Sequence, residues 1–265
     1  MASTRSKDGT TIAYTATGSG PTLVVVDGAM CHRRFGPSKA IAQQLADRFT
    51  VVTYDRRGRG ESGNTLPFSP AREIEDLDAV IKANGGSAFL LGVSSGAVLA
   101  LEAGNQGLPV NALALYEAPL IVDNTRTPIG AEYLPQLKTM INEDRRGDAV
   151  KSFMYAVQVP KIFVFLMQLM PSWKRMKEIA PTLVHDITIV EPYQRGKALP
   201  ADRWSGVKVP TLVIDGGKSP AWMRNTQKAL ASVVPGAKTQ TLPGQTHMVS
   251  AKVLAPVVAE FFAVA

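Results

Sequence analysis

Ala88-Phe89-Leu90-Leu91-Gly92-Val93-Ser94-Ser95-Gly96-Ala97-Val98-Leu99-Ala100 decides how this chain is read. An apolar run of strand character enters Gly-x-Ser-x-Gly and leaves as a helix-forming run. A glycine on each side of the serine allows a tight strand-to-helix turn where a Cβ would collide with neighbouring backbone. Such a turn lifts the Ser94 hydroxyl clear of the sheet and makes it the candidate nucleophile. It also aims the Ser95 amide, at the start of the helix, at the place where negative charge develops on a carbonyl under attack.

The surroundings fit that turn. Residues 21–26 read as a buried parallel strand followed by the loop Asp27-Gly28-Ala29-Met30-Cys31-His32. Residues 49–54 read as the next strand, ending in Asp55-Arg56-Arg57-Gly58-Arg59-Gly60-Glu61-Ser62-Gly63. Later come Val209-Pro210-Thr211-Leu212-Val213-Ile214-Asp215-Gly216 and the closing Leu242-Pro243-Gly244-Gln245-Thr246-His247. Together these segments resemble the α/β-hydrolase superfamily along the whole chain. The resemblance implies an α/β-hydrolase fold: a mostly parallel eight-stranded sheet flanked by helices, with a helical cap inserted after strand 6. Residues 1–120 and 207–265 would form the core and 121–206 the cap.

A serine hydroxyl needs a base to take its proton, and the chain holds three histidines. His32 lies in the loop after the first long strand and His185 in the helical insert. His247 follows the strand at 237–242 and precedes a terminal helix at 251–263, where the resemblance places the catalytic histidine. The third member departs from the usual pattern. The superfamily carries its acid in a Gly-x-x-Asp stretch after the seventh strand, whereas this chain has Gly216-Gly217-Lys218-Ser219. Two carboxylates stand in contention, Asp215 and Glu117. Asp215 is still on its strand, so Glu117, at the end of the sixth strand, is the favoured acid.

The donor loop departs as well, with Asp27-Gly28 in place of His-Gly. That pair, Gly-x-Ser-Ser-Gly-Ala at the nucleophile and a glutamate after strand 6 resemble the active-site layout of the zearalenone-type lactone hydrolases. The implied oxyanion hole is the Ser95 amide plus one from Gly28 or Ala29. Asp27 is read as bracing its loop, because a carboxylate beside an oxyanion opposes the charge to be stabilised.

Composition is that of one compact unit. The chain has 265 residues, 45% hydrophobic and 19% charged, with no polar linker and no repeat. Its first twenty residues lack an apolar core, which argues against a signal peptide, and they contain a hairpin turn at Asp8-Gly9. The run 162–170 is too short to span a bilayer. One cysteine, Cys31, excludes an internal disulfide and agrees with a cytoplasmic location. The net charge of +7 is spread as Arg33-Arg34, Arg56-Arg57-Arg59, Arg145-Arg146 and Lys174-Arg175-Lys177. Without interleaved aromatics this reads as a solvated basic surface and not as a nucleic-acid site. Arg33 and Arg34, next to the donor loop, are the exception, placed where they could favour a substrate carboxylate.

The insert reads as short helices at 130–142, 148–157, 162–170 and 172–179, broken by Pro160, Pro171 and Pro181. Its large apolar side chains point to an apolar pocket over Ser94. Met30, Phe163, Met167, Met170, Trp173, Trp222 and Met248 are the expected substrate contacts. The expected activity is cleavage of an ester or lactone bond of an apolar small molecule by a monomer or homodimer, with no cofactor, metal, nucleic-acid or membrane partner. Same-fold carbon–carbon bond hydrolases, lyases and cofactor-free perhydrolases, or a small-molecule receptor on this scaffold, are the alternatives.

Overall fold

Strands of a parallel sheet are covered on both faces, so successive residues enter two different apolar layers. In the computed structural model, which describes residues 2–265, β3 (Thr22–Val26) shows this directly. Leu23 and Val25 join one core and Val24 and Val26 the other. The remaining strands are β1 (Ala2–Arg5), β2 (Thr11–Thr17), β4 (Thr50–Tyr54), β5 (Ala88–Val93), β6 (Val110–Tyr116), β7 (Thr211–Gly216) and β8 (Lys238–Leu242). They form one eight-stranded sheet in the order β1-β2-β4-β3-β5-β6-β7-β8. β2 pairs antiparallel with β1 and β4, and all other pairs are parallel. The predicted turn at Asp8-Gly9 joins β1 to β2, with Gly9 donating to the Ser6 carbonyl at 2.9 Å.

One face of the sheet is covered by α1 (Ser38–Leu45) and α10 (Ala251–Ala263), which contribute Ile41, Leu45, Leu254, Val258 and Phe262 to its core. The other face packs under α2 (Pro70–Ala83), α3 (Ser95–Asn105) and α9 (Ala221–Val233). Between β6 and β7 run α4 (Tyr133–Asn142), α5 (Arg146–Ala156), α6 (Lys161–Gln168), α7 (Ser172–Ile179) and α8 (Leu183–Val190). Four of these match the expected insert helices within two to three residues, while α8 extends the helical reading past Pro181. That proline sits in a single 3-10 turn, Ala180–Thr182, which leads straight into α8. A proline in a first turn removes no hydrogen bond that the helix needs.

The reading of the basic segments as solvated surface fails for the stretch after β4. Arg56, Arg57 and Arg59 are among the most buried side chains of the molecule. Arg56 makes a two-point contact with Glu73 at 2.6 and 2.7 Å, and Arg57 makes one with Asp76 at 2.7 Å for both bonds. Burying a guanidinium is unfavourable unless a carboxylate meets it, and removing one partner of such a pair costs about 3–5 kcal/mol. Arg33 is likewise committed, to Asp55 at 3.0 Å and Glu61 at 2.5 Å, so it is not available to a substrate carboxylate.

Candidate active site

Strand order brings the candidate residues together. β3 lies between β4 and β5, so the chain runs outward from β3 and then crosses back, and the loops leaving β3 and β5 part at the carboxyl ends of neighbouring strands. Ligands of open α/β sheets bind at such a point. The loops after β6, β7 and β8 follow along the same edge.

Ser94 occupies the turn between β5 and α3 with φ 56° and ψ −127°. Its amide donates to the Tyr116 carbonyl at 2.9 Å, which ties the turn to the end of β6. A Cβ at Gly96 would overlap the Val26 carbonyl, and one at Gly28 would stand 2.8 Å from the Ser94 Cβ. Both glycines are therefore required by close approach between the donor loop and the elbow. Met30 (φ 62°) and Glu117 (φ 47°) share the left-handed backbone of Ser94. Such conformations are costly for side-chain-bearing residues and concentrate at functional sites.

Glu117 is fully buried. Its Oε1 accepts the Gly216 amide at 2.8 Å, and its Oε2 stands 2.8 Å from His247 Nδ1. A carboxylate at Nδ1 selects the tautomer that carries its proton there and leaves Nε2 free to act as a base. The two partners differ in access, since the Glu117 side chain is 0% exposed and that of His247 41%. The loop carrying His247 is held from below. Tyr116 Oη donates to the Thr246 carbonyl at 2.5 Å, and the Lys218 amide donates to the Gln245 carbonyl at 2.8 Å.

Asp215 is engaged elsewhere. Its Oδ1 accepts the Thr241 hydroxyl at 2.6 Å and its Oδ2 faces Arg224 Nε at 3.3 Å. His32 stands 3.9 Å from Asp55. His185 is stacked on Phe68, with ring centroids 3.8 Å apart, and burial lowers its pKa to about 4. Burial pushes the Cys31 thiol up to about 12, which leaves it no thiolate character at neutral pH.

The seven expected substrate contacts occupy different environments. Met30 is buried within the donor loop, and Met167 packs at the edge of the larger core. Trp222 forms a small cluster with Ile121 and Met223 and lies under the Arg126 guanidinium, 4.2 Å from its ring centroid. Trp173 packs at the edge of the larger core and also lines a groove on the insert with Arg145, Lys151, Lys174 and Lys177. Phe163 and Met170 are more than half exposed and Met248 is 87% exposed. Three of the seven thus stand open to solvent, on the insert and on the loop after β8. Among the described residues, no group of three or more His, Cys, Asp or Glu side chains is arranged to hold a metal ion.

Sequence reasoning missed Asp186, Arg56 and Arg59. Asp186, on α8, accepts Ser95 Oγ at 2.7 Å, Arg56 Nη1 at 2.7 Å and Arg59 Nη2 at 2.5 Å. The density of arginines in residues 55–59 was the available signal. Their carboxylate partners lie 17 to 130 residues away in sequence, beyond the reach of local pattern.

Comparison with known proteins agrees with this architecture. Residues 18–259 match the model of the family described as the alpha/beta hydrolase family. An alpha/beta hydrolase from Sphaerobacter thermophilus DSM 20745 is 45% identical, with a TM-score of 0.91 over 98% of this chain and 100% of that one. A hydrolase from Pseudomonas aeruginosa PA01 is 18% identical, with a TM-score of 0.73 over 99% of this chain and 97% of that one, a likeness of fold alone. The uncharacterized hydrolase YraK of Bacillus subtilis (strain 168) is 36% identical over 103 residues. That match spans 36% of this chain and 35% of the relative.

Proposed function

The chain belongs to the alpha/beta hydrolase family, and from that premise we propose that it is a serine hydrolase cleaving a carboxylic ester or lactone bond of an apolar small molecule through an acyl-enzyme. The observation that carries this reading is the buried Glu117 carboxylate 2.8 Å from Nδ1 of a half-open His247, at the same strand edge as the strained Ser94 turn.

In this reading His247 Nε2 takes the Ser94 proton as Oγ attacks the carbonyl carbon. Glu117 keeps the imidazole oriented and stabilises it when it becomes charged. The Ser95 amide and an amide of Gly28 or Ala29 receive the oxyanion. The protonated His247 then gives its proton to the leaving alkoxide, and water, activated by the same histidine, cleaves the acyl-enzyme. Residues 121–206 act as a cap on the core formed by 1–120 and 207–265. The point of departure supports this, because the insert leaves the sheet at the carboxyl end of β6, directly after Glu117.

Fluorophosphonate labelling combined with p-nitrophenyl ester turnover tests the proposal. Wild type is expected to be labelled at Ser94 and to turn over. Ser94→Ala is expected to lose labelling and at least three orders of magnitude in kcat, roughly the loss seen when a serine nucleophile is removed, while keeping its fold. Turnover by a folded Ser94→Ala protein that matches wild type sinks the covalent mechanism. Labelling without ester or lactone turnover points instead to a receptor on this scaffold.

A further inference from the structure

A carboxylate from the insert reaches the parts of the core that would hold the oxyanion. Asp186 is 1% exposed, and its Oδ1 accepts the Ser95 hydroxyl at 2.7 Å. Ser95 is the first residue of α3, and its amide, like every amide in a helix's first turn, has no carbonyl partner within the helix. On the other side Asp186 holds Arg56 Nη1 at 2.7 Å and Arg59 Nη2 at 2.5 Å.

Those two guanidiniums also bind the donor loop. Arg56 Nη1 donates to the Asp27 carbonyl at 3.1 Å, and Arg59 Nη1 donates to the carbonyls of Gly28 at 2.7 Å and Cys31 at 3.0 Å. One carboxylate therefore connects to both halves of the oxyanion pocket, directly to α3 and through two arginines to the loop after β3. The carbonyls of Asp27 and Gly28 belong to the peptide units whose amides are those of Gly28 and Ala29. Anchoring these oxygens fixes where the amides point, because each peptide unit is planar.

We propose that Asp186 is a positioning residue for the oxyanion pocket, supplied by the insert, which sets the spacing of the Ser95 and donor-loop amides through Ser95 Oγ, Arg56 and Arg59. The inference rests on the serine-hydrolase reading above. The contacts differ in what they leave behind when cut. Without Asp186, Arg56 keeps its two bonds to Glu73, whereas Arg59 keeps only the Thr182 hydroxyl at 3.1 Å and the loop carbonyls. The loop side is therefore the more sensitive one.

The test uses Asp186→Asn, which keeps the shape and one acceptor oxygen but removes the charge, and Ser95→Ala, which cuts the α3 side and leaves the buried ion pairs alone. The readouts are kcat and KM on one ester, and the inhibition constant of a trifluoromethyl ketone whose serine adduct places an oxyanion in the pocket. Asp186→Asn is expected to lower kcat by about ten- to a hundredfold, short of the hundred- to thousandfold loss of a whole oxyanion donor. KM should stay within about threefold and ketone affinity should fall in proportion to kcat, as expected when an interaction is made only in the transition state. Ser95→Ala should show the same pattern more weakly, and the double variant should lose less than the product of the two, since they share one path.

A folded Asp186→Asn enzyme with wild-type kcat, or one in which KM alone rises or ketone affinity does not follow kcat, overturns the proposal. If Asp186→Asn does not fold, Ser95→Ala decides, and wild-type kcat with wild-type ketone affinity in that variant has the same force. Ser94→Ala separates the two levels. Turnover retained in Ser94→Ala defeats the serine reading itself, whereas loss there with a normal Asp186→Asn defeats the positioning role alone.

Discussion

Glu117 Oε2 and His247 Nδ1 stand 2.8 Å apart across 130 residues of chain, while Asp215, on the strand between them, turns to Thr241 and Arg224. Parallel pairing of β6 with β7 and of β7 with β8 produces this arrangement. It brings the ends of three strands into line, and the long glutamate side chain spans from the first to the loop after the third.

Glu117→Gln is accordingly expected to fold, to bind substrate and to lower kcat by about two to four orders of magnitude, as removal of an orienting carboxylate does in serine triads. Asp215→Asn is expected to stay within a few-fold of wild type. Steady-state kinetics on one ester, with circular dichroism as the folding check, reads both. A crippled Asp215→Asn beside a normal Glu117→Gln reverses the assignment.

Gly28→Ala is expected to damage activity without a change in charge. Its Cβ would lie 2.8 Å from the Ser94 Cβ and 3.1 Å from the Val93 carbonyl, so the donor loop must retreat from the elbow. Overpacking of this kind costs about 1–3 kcal/mol of stability, read from urea denaturation. The displaced amides should lower kcat at least about tenfold. Full activity in Gly28→Ala means that the loop does not need this approach.

Trp222 and Phe163, both expected from sequence to touch substrate, should respond differently to truncation. Trp222 is 8% exposed beneath Arg126, and Trp222→Ala is expected to cost about 3–5 kcal/mol in denaturant unfolding. Phe163 is 57% exposed, and Phe163→Ser is expected to change stability by less than about 0.5 kcal/mol. Equal losses would show that α6 is packed in solution.

Two buried groups make stability depend on pH with opposite signs. Burial, opposed by Arg59 and Arg56, pushes the Asp27 carboxyl up to about 6 from an ordinary 3.8. Between those values the folded protein holds a proton that the unfolded chain has released, so this contribution falls as pH rises. Burial lowers His185 to about 4 from 6.5. There the unfolded chain holds the extra proton, so this contribution rises with pH over 4 to 6.5. Each is on the order of 3 kcal/mol. Relative to wild type, Asp27→Asn should gain stability between pH 4 and 6, and His185→Phe should lose it over a similar range. Curves parallel to wild type would remove the assigned group from the linkage.

The fold was legible because its signals are local and periodic. The strand–Gly-x-Ser-x-Gly–helix run sets both faces of its own turn within 13 residues, and α10 was readable to its ends from 251–263. Insert helix boundaries were less sharp, since a proline marks a break in pattern but not whether the next turn continues as a helix. Pro181, followed at once by α8, is the example.

By itself the sequence determined the strand and helix series, the strained position of Ser94 and the order in which serine, carboxylates and His247 occur, because steric limits on the backbone and apolar periodicity act between near neighbours. Tertiary structure alone decided which carboxylate meets His247, since that depends on which strand ends lie side by side and where each side chain turns. It also decided that Arg56, Arg57 and Arg59 are internal, because a guanidinium can be buried only where carboxylates converge on it. Theirs come from Asp8, Glu73, Asp76 and Asp186. The same holds for the apolar residues expected to meet substrate. Composition shows that Phe163, Met170 and Trp222 prefer an apolar setting, but packing places the first two toward solvent and the third beneath an arginine.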